Sequence, residues 1–476
     1  MSTRASRPPI DAFHLPGFDA GSVARWRIRE YAGGISLRFP QLEPAQLGAV
    51  IAHLRESRAR FLADRPAEQI AAAIAAAAAR LGRDDDARRR VALEALPAVT
   101  GYSPPMVRLV LDRMLEDWSE ASLRELLYSE FPDPGVLDGF RPHPAGRSGS
   151  RTRAFGPELA FHIFAGNVPG VAVTSIARSL LVKAATLGKT ASGEPLLPAL
   201  FARTLAEVDP GLGGCLAVTY WPGGSEDLEA VALEAADAVV VYGGAGVAED
   251  VRRRAPASRR VVVHGPRFSL GLIGRDALSA QLTEETAAQA ARAVAIFDQQ
   301  GCVSPHLYYV EEGGETSPAR FAERLAAQLA RLHEELPRGA ISPAEAAAIQ
   351  AARADAEARA LAGAEVQVHA ARGTEFTVIY EPDPAFAPSP LNRVVRVKPL
   401  ADLSAVVGLI RPLAHLIQTV GIAGAGDRLT GLAEALGRAG APRITTLARM
   451  PWPPPSGHHD GQEPLRELVR WVDLEE

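Results

Sequence analysis

The chain has 476 residues, of which 47% are hydrophobic and 22% charged, an ordinary composition for a globular protein of two or three domains. Its formal net charge of −5 gives no reason to expect a nucleic-acid partner or a polybasic membrane anchor. Two cysteines form no disulfide framework, the N-terminal residues lack a signal peptide, and the longest apolar run (70–79) is too short to span a membrane. We therefore expect a cytoplasmic protein without a membrane span.

The first 130 residues are predicted to form a mainly helical region. Pro66 suits the first turn of an alanine-rich helix over 70–81, and Gly82 is placed to end it. Residues 106–118 space their apolar side chains at helical intervals. The segment 140–150 is rich in proline, glycine and serine, which predicts a loop or linker before the next region.

From residue 159 onward, short apolar runs alternate with helical patterns, which is typical of an α/β fold with a parallel sheet. Most of these runs are followed by a polar or glycine-containing loop and then a helix, so ligands are expected at the carboxyl ends of the strands. The predicted strands are 159–164, 184–187, 216–220, 238–242 and 260–264.

Further along the chain, helices are predicted over 283–299, 318–336 and 343–361. Strands are predicted at 307–310 and 394–397, and a short helix at 463–472. No internal repeat is found, which argues against a solenoid.

Cys302 is the strongest candidate for a catalytic residue. It lies in DQQGCVSP (298–305), a polar turn with a glycine between a predicted helix and a predicted strand. An accessible thiol with backbone donors beside it suits a nucleophile, provided that its thiolate form is favoured. The alternative is a small buried residue in a turn. Cys215 precedes a predicted strand and is expected to pack in the hydrophobic core.

Two loops at predicted strand ends also carry candidate groups. Asn167 lies between a strand and a helix, where its amide would suit an oxyanion or simply a turn. Gly243 and Gly244 end a strand and open a helix, where backbone amides can bind a pyrophosphate, although the pattern is not G-x-G-x-x-G. The adjacent His458, His459 and Asp460 do not have the spacing of a metal site, and no metal is expected.

Taken together, these segments resemble the aldehyde dehydrogenase superfamily, and most closely its acyl-CoA reductase branch, the fatty-acid reductase of bacterial bioluminescence operons. The motifs that carry the resemblance are FHIFAGNVPG (161–170), DAVVVYGGAG (237–246), FDQQGCVSP (297–305) and MPWPPPSGHHDG (450–461). The resemblance implies a helical N-terminal region (1–130), a Rossmann-type cofactor domain (131–280), an α/β catalytic domain (281–450) and a tail (451–476) that packs back on the body.

The resemblance also implies roles for individual residues. Cys302 matches the catalytic cysteine and Asn167 the asparagine that helps to hold the oxyanion. Lys189 matches the lysine that contacts the adenosine ribose, and Gly243 and Gly244 match the pyrophosphate loop. Ser192 stands where members that use NAD usually have a glutamate for the ribose 2′-hydroxyl, and this replacement favours NADPH.

Two departures from the family pattern bear on the reaction. No acidic residue occurs from Ala255 to Gly274, where hydrolytic relatives have the glutamate that activates water. His264 lies near that place and is either a proton shuttle or a structural residue. The carboxylate that binds the nicotinamide ribose is also replaced near Ser389.

The absence of a water-activating base favours reduction of an acyl thioester to an aldehyde over oxidation of an aldehyde to an acid. The expected substrate is an acyl-CoA or an acylated partner protein, and the expected assembly is a homo-oligomer, in complex with acyl-transferring proteins. The alternatives are a short-chain CoA-acylating aldehyde dehydrogenase, an acyl-phosphate reductase, a non-redox acyltransferase that uses Cys302, and a catalytically silent scaffold.

Overall fold

The computed structural model describes residues 8–143 and 149–475, which fold into two compact units. The first comprises the described residues of Met1–Thr100, Val107–Gly265 and Pro454–Glu476, and the second comprises Gly101–Met106 and Pro266–Pro453. Part of the expected linker, 144–148, lies outside the described residues. No described helix has both the length and the apolar character that a membrane crossing requires.

The first unit begins with a small three-stranded sheet that the sequence analysis did not predict. In it β3 is central, parallel to β1 and antiparallel to β2. Five helices follow, and Pro66 and Gly82 flank α2 as expected. The elements are β1 (Ile10–Asp11), β2 (Trp26–Glu30), β3 (Ser36–Pro40), α1 (Pro44–Phe61), α2 (Ala67–Leu81), α3 (Ala87–Thr100), α4 (Pro104–Asp117) and α5 (Glu120–Glu130).

A five-stranded parallel sheet forms the core of the first unit and confirms the five strands predicted between 159 and 264. Its elements, after β4 (Arg141–Pro142) and β5 (Arg151–Phe155), are β6 (Leu159–Ile163), α6 (Val171–Leu181), β7 (Ala185–Lys189), α7 (Leu196–Val208), α8 (Pro210–Gly213), β8 (Leu216–Thr219), α9 (Glu226–Ala235), β9 (Ala238–Tyr242), α10 (Ala245–Arg254) and β10 (Arg260–His264). The strand order is β10-β9-β6-β7-β8. From β6 the chain first adds β7 and β8 on one side of the sheet and then adds β9 and β10 on the other side of β6. The strand order therefore reverses at β6, and dinucleotides bind in the crevice at such a reversal in this class of sheet.

The second unit is built around a seven-stranded sheet of order β13-β14-β15-β12-β11-β16-β17, in which only the β13–β14 pair is antiparallel. Alternate residues of β12 pack into the cores on the two faces of the sheet, as expected for a central parallel strand. The elements are β11 (Phe268–Ile273), α11 (Thr283–Ala295), β12 (Pro305–Glu311), α12 (Pro318–Glu335), α13 (Pro343–Leu361), β13 (Gln367–Ala370), β14 (Thr377–Tyr380), β15 (Val394–Leu400), α14 (Val406–Ile410), β16 (Ile417–Ala423), α15 (Leu429–Arg438) and β17 (Ile444–Thr446).

The C-terminal tail returns to the first unit as a strand, so the predicted helix over 463–472 is wrong. One 3₁₀ turn at Arg466–Leu468 is followed by β18 (Arg470–Leu474), which pairs antiparallel with β5. Pairing with β5, which also pairs with β4, satisfies the backbone groups of this segment and overrides its helical apolar spacing. The carboxylate of Glu130 accepts the backbone N–H groups of Leu465 and Arg466, each over 2.8 Å.

Candidate functional site

Cys302 lies on a turn of unusual backbone shape in the second unit. Helix α11 ends at Ala295, four residues before the end of the predicted helix, because Phe297, Asp298 and Gln299 adopt left-handed conformations with φ of 58°, 47° and 67°. Three consecutive non-glycine residues in this region store strain that the surrounding structure must offset. Cys302 itself is half-buried, in contrast to the buried side chains around the turn.

A second left-handed triplet supports the first. Leu391, Asn392 and Arg393 have φ of 66°, 57° and 65°, and the backbone N–H of Asn392 donates to the carbonyl oxygen of Asp298 over 3.1 Å. The buried guanidinium of Arg393 donates from Nε to Oδ1 of Asp298 over 2.8 Å. Gln299 donates from Nε2 to the carbonyl oxygen of Val394 over 2.9 Å. The turn is therefore held by a buried ion pair and by side-chain bonds to backbone.

Two polar groups of the second unit lie next to Cys302. Ser269 Oγ donates to the carbonyl oxygen of Cys302 over 2.8 Å. Burial lowers the pKa of Arg443 to about 10, and the negative charge of the Cys302 thiolate acts in the opposite direction. A cation within electrostatic reach favours the thiolate, which is the reactive form.

The surroundings of Cys215 and Ser389 indicate structural roles for both residues. Cys215 is buried, as expected, and burial raises its pKa to about 12. Ser389 Oγ accepts the backbone N–H of Leu391 over 2.8 Å and donates to the carbonyl oxygen of Val394. Ser389 thus supports the turn that holds Cys302.

In the first unit, Asn167 is exposed at the carboxyl edge of the parallel sheet, in the loop between β6 and α6. Glycines fix the shape of this loop. A Cβ on Gly166 would lie 2.8 Å from the Cβ of Ala191, and a Cβ on Gly170, whose φ is 97°, would lie 2.7 Å from Cγ of Met114. The loop can therefore pack closely on its neighbours while it presents the asparagine.

Lys189 ends β7 and is buried, with its Nζ 2.5 Å from Oε1 of Glu229. The other carboxylate oxygen of Glu229 lies 2.6 Å from Nη1 of Arg254. Ser192 is exposed three residues beyond Lys189, on the same edge of the sheet. Glu229 and Arg254 escaped the sequence analysis because they are distant from Lys189 in the chain and belong to no recognised motif.

All three lysines of the chain lie in buried ion pairs, so pairing alone does not distinguish Lys189. The pairs and their distances are Lys183 with Asp138 at 2.7 Å, Lys189 with Glu229 at 2.5 Å and Lys398 with Glu381 at 2.8 Å. What distinguishes Lys189 is its place at the carboxyl end of a central parallel strand.

Gly243 and Gly244 lie between β9 and α10, and Gly244 is the N-cap of α10. A Cβ on Gly244 would meet no atom within 4 Å, so the backbone borders open space there. Open space beside backbone amides at a helix N-terminus suits an anionic group such as a pyrophosphate. The loop therefore fits a dinucleotide, as does the cation at the end of β7.

His264, His459 and Asp460 form one cluster, which the sequence analysis did not assemble. His264 ends β10 and donates from Nδ1 to Oδ2 of Asp460 over 3.0 Å. The rings of His264 and His459 stack with centroids 4.0 Å apart, and Arg178 Nη1 donates to Nδ1 of His459 over 3.0 Å. Ligand-type atoms of the three residues lie within 4.8 Å of one another, but parallel rings and a neighbouring guanidinium suit a hydrogen-bonded cluster better than a cation.

The cluster continues into the core of the first unit. Tyr242 stacks on His264 at 4.6 Å and donates from its hydroxyl to Ser175 Oγ over 3.2 Å. Ser175 also lies 2.9 Å from Nδ1 of His162, which is fully buried. Burial lowers the pKa of His162 to about 3, so this ring is neutral at physiological pH. A chain of polar groups thus runs from the buried His162 to the C-terminal tail.

A family model described as acyl-CoA reductase (LuxC) matches residues 62–471. The chain belongs to this acyl-CoA reductase family. Membership confirms the resemblance inferred from the sequence motifs and makes the protein an oxidoreductase.

Curated relatives of this acyl-CoA reductase carry the name long-chain acyl-protein thioester reductase. The protein from Aliivibrio fischeri is 28% identical over 395 residues, which cover 82% of this chain and 78% of that protein. The protein from Vibrio harveyi is 26% identical over 399 residues, which cover 82% and 79%.

Solved structures show the fold. Aldehyde dehydrogenase 21 from Physcomitrella patens matches this acyl-CoA reductase with a TM-score of 0.75 at 15% identity and covers 98% of each chain. The NADP-dependent glyceraldehyde-3-phosphate dehydrogenase from Bacillus halodurans matches with a TM-score of 0.71 at 16% identity, over 97% of this chain and 99% of that chain. The expected aldehyde-dehydrogenase-like α/β fold is therefore confirmed.

Proposed function

We propose that this acyl-CoA reductase converts a long-chain acyl thioester to the aldehyde, with NADPH as the reductant and an acyl group on Cys302 as the intermediate. The observation that carries the proposal is the half-buried Cys302 on a turn held by buried side chains, in a chain of this family. The names of the curated relatives support a long-chain acyl thioester as substrate.

The thiolate of Cys302 attacks the carbonyl carbon of the substrate, and the bond to the donor sulfur breaks, so that the donor thiol leaves with one proton. The backbone N–H of Cys302 is proposed to stabilise the oxyanion, and Asn167 matches the asparagine that has this role in the superfamily. Each such donor is typically worth about 3–4 kcal/mol of transition-state stabilisation. The product of this half-reaction is a thioester on Cys302.

A dinucleotide bound in the first unit would supply hydride-transfer chemistry for the reduction of that thioester. Gly243 and Gly244 would hold its pyrophosphate against the N-terminus of α10, and Lys189 its adenosine ribose. Ser192 is small and neutral beside this lysine, which supports NADPH over NADH. Cys302 then leaves as the thiolate when the aldehyde is released, and the enzyme returns to its starting state.

The fate of the thioester on Cys302 distinguishes this reductase from a hydrolytic aldehyde dehydrogenase. The stretch from Ala255 to Gly274 carries no carboxylate to activate water, so the thioester is expected to persist until it is reduced. His264 at the end of β10, whose Nδ1 donates to Asp460, is proposed to supply the proton with which the donor thiol leaves.

The acyl donor is either acyl-CoA or an acylated partner protein. The family description favours the first, and the names of the relatives favour the second. A homo-oligomer in complex with acyl-transferring proteins remains our proposal for the assembly.

Covalent trapping tests the proposal. Incubation with a C14 acyl-CoA in the absence of nucleotide should add one acyl mass to the intact protein, and digestion should place it on the peptide that contains Cys302. Addition of NADPH should remove the adduct and yield tetradecanal. A stable adduct that NADPH does not remove would support the acyltransferase alternative, and no adduct would support the silent scaffold.

A further inference from the structure

The N-terminal strand β2 brings a cation to the loop that follows β7. Arg29 Nη1 donates to the backbone carbonyl oxygen of Ser192 over 3.1 Å. Its guanidinium carbon also lies 5.5 Å from the ring centroid of Tyr31 and 5.6 Å from that of Tyr220. Cation–π contacts of this length restrain a guanidinium without neutralising it. Arg29 is therefore held beside Ser192 with its charge retained.

Arg29 differs from Lys189 and Arg254 at this edge of the sheet, because those two cations face carboxylates. Glu229 divides its carboxylate between Lys189 and Arg254, at 2.5 and 2.6 Å, and Asp250 lies 3.0 Å from Arg254. Arg29, in contrast, donates to a neutral carbonyl oxygen. An arginine fork in this position matches the oxygen atoms of a phosphate monoester.

A cleft of about 150 Å³ lies next to this edge, and β2 forms part of its wall. Its lining includes the cation of Arg27, the rings of Tyr220 and Trp221, the apolar Leu42 and Leu228, and the polar side chains of Gln41 and Ser225. Arg27 and Arg29 are two residues apart in β2 and therefore share one face of the strand. The Nζ of Lys189 lies 5.7 Å from the ring centroid of Trp221, which places the cleft beside the end of β7.

We propose that β2 completes the adenosine end of the nucleotide site, with Arg29 binding the 2′-phosphate of NADPH and the cleft beside Arg27 receiving the adenine. This inference rests on the proposed use of NADPH. It assigns a cofactor-specificity role to a residue that lies before the region matched by the family model, which begins at residue 62. Ser192 then leaves room for the phosphate, while Arg29 supplies the charge that recognises it.

Two nucleotide fragments that differ only in the 2′-phosphate test the inference with the full chain. Calorimetric titration with adenosine 2′,5′-bisphosphate and with adenosine 5′-monophosphate should give wild-type dissociation constants that favour the bisphosphate by about tenfold or more. Arg29→Ala should weaken the bisphosphate by about tenfold and change the monophosphate by less than about twofold, and Arg29→Lys should restore part of the loss.

Arg25→Ala is the matched control, because it removes an exposed arginine four residues earlier in the same segment. It should change neither dissociation constant. Equal weakening of both fragments by Arg29→Ala, or no weakening of either, would overturn the role of Arg29 while leaving the wild-type preference for the 2′-phosphate intact. A wild type that binds both fragments equally would overturn the proposed use of NADPH, and the role of Arg29 with it.

Discussion

At the scale of single residues, the two cysteines provide the most direct contrast. Cys302→Ala should abolish both the acyl adduct and aldehyde formation, because the other cysteine is buried, while nucleotide binding should stay within about twofold. Cys215→Ala is the control, since it removes a buried thiol whose raised pKa keeps it protonated. Mass spectrometry and calorimetry measure the two properties separately. Undiminished aldehyde formation by Cys302→Ala would contradict the assignment.

Lys189 should matter more for NADPH than for NADH. Lys189→Ala removes a cation beside Ser192, so the ratio of kcat/KM for NADPH to that for NADH should fall by about tenfold. Lys398→Ala also breaks a buried lysine–glutamate pair, but in the second unit, and should leave this ratio unchanged. Steady-state kinetics with both nucleotides measures the ratio. Equal losses with the two nucleotides would count against the interpretation of Ser192.

Asp460 is expected to act through His264. Asp460→Asn keeps the size of the side chain but removes the carboxylate that accepts from Nδ1 of His264, so kcat should fall while the dissociation constant of the nucleotide stays within about twofold. His264→Ala should lower kcat at least as far. His458→Ala, at the exposed neighbouring position, should behave like wild type. An unchanged kcat in Asp460→Asn would assign the cluster a structural role only.

At the scale of elements, the turn that holds Cys302 depends on the buried pair of Asp298 and Arg393. Asp298→Ala leaves a guanidinium buried without its carboxylate, so the free energy of unfolding should fall by about 3–5 kcal/mol. Glu434→Ala breaks the exposed pair with Arg438 and should cost less than about 1 kcal/mol. Chemical denaturation followed by tryptophan fluorescence compares the two variants. Equal costs would show that the pair does not support the turn.

Long apolar patterns made most elements of the fold predictable. The strands that start at Leu159 and Ala238 are buried on both faces and read as continuous apolar runs. The N-terminal sheet was missed because β2 carries mostly polar side chains and pairs at an edge. The sequence predicts a helix over the residues of β18 because their apolar spacing suits either period, and only pairing with β5 decides between them.

Residues of the candidate site were predictable where they stand in a contiguous sequence motif. Asn167, Gly243 and Cys302 stand in short segments whose order resembles the superfamily, and the family match supports that resemblance. Their partners were not predictable, since Arg29 and Asp460 are each more than 160 residues from the groups that they contact. Residues 297–299 have left-handed φ values but include no glycine, so the local sequence does not indicate this conformation.

At the scale of the whole molecule, stability should depend on the protonation of Glu130. Burial raises its pKa to about 7, above the ordinary value of 4.5 that it has in the unfolded chain. The folded state therefore holds this proton more tightly, and the contribution of Glu130 is fully present below about pH 4.5 and is lost as the pH rises through about 7.

A carboxamide at position 130 should remove this dependence. Glu130→Gln can still accept the N–H groups of Leu465 and Arg466, so the variant should lose less stability than wild type between pH 5 and pH 8, by about 1–2 kcal/mol. Thermal unfolding across this range measures the difference, with the exposed Glu56→Gln as control. Parallel curves for wild type and Glu130→Gln would contradict the prediction.

The whole enzyme is proposed to couple a thiol nucleophile to a reductant. Oxidation of NADPH with acyl-CoA thioesters from C2 to C16, with the aldehyde trapped and identified, measures this coupling. We expect one aldehyde for each NADPH consumed and turnover that rises with chain length. Release of free CoA without consumption of NADPH would contradict it and indicate a transferase, and turnover confined to the shortest chains would indicate a short-chain CoA-acylating dehydrogenase.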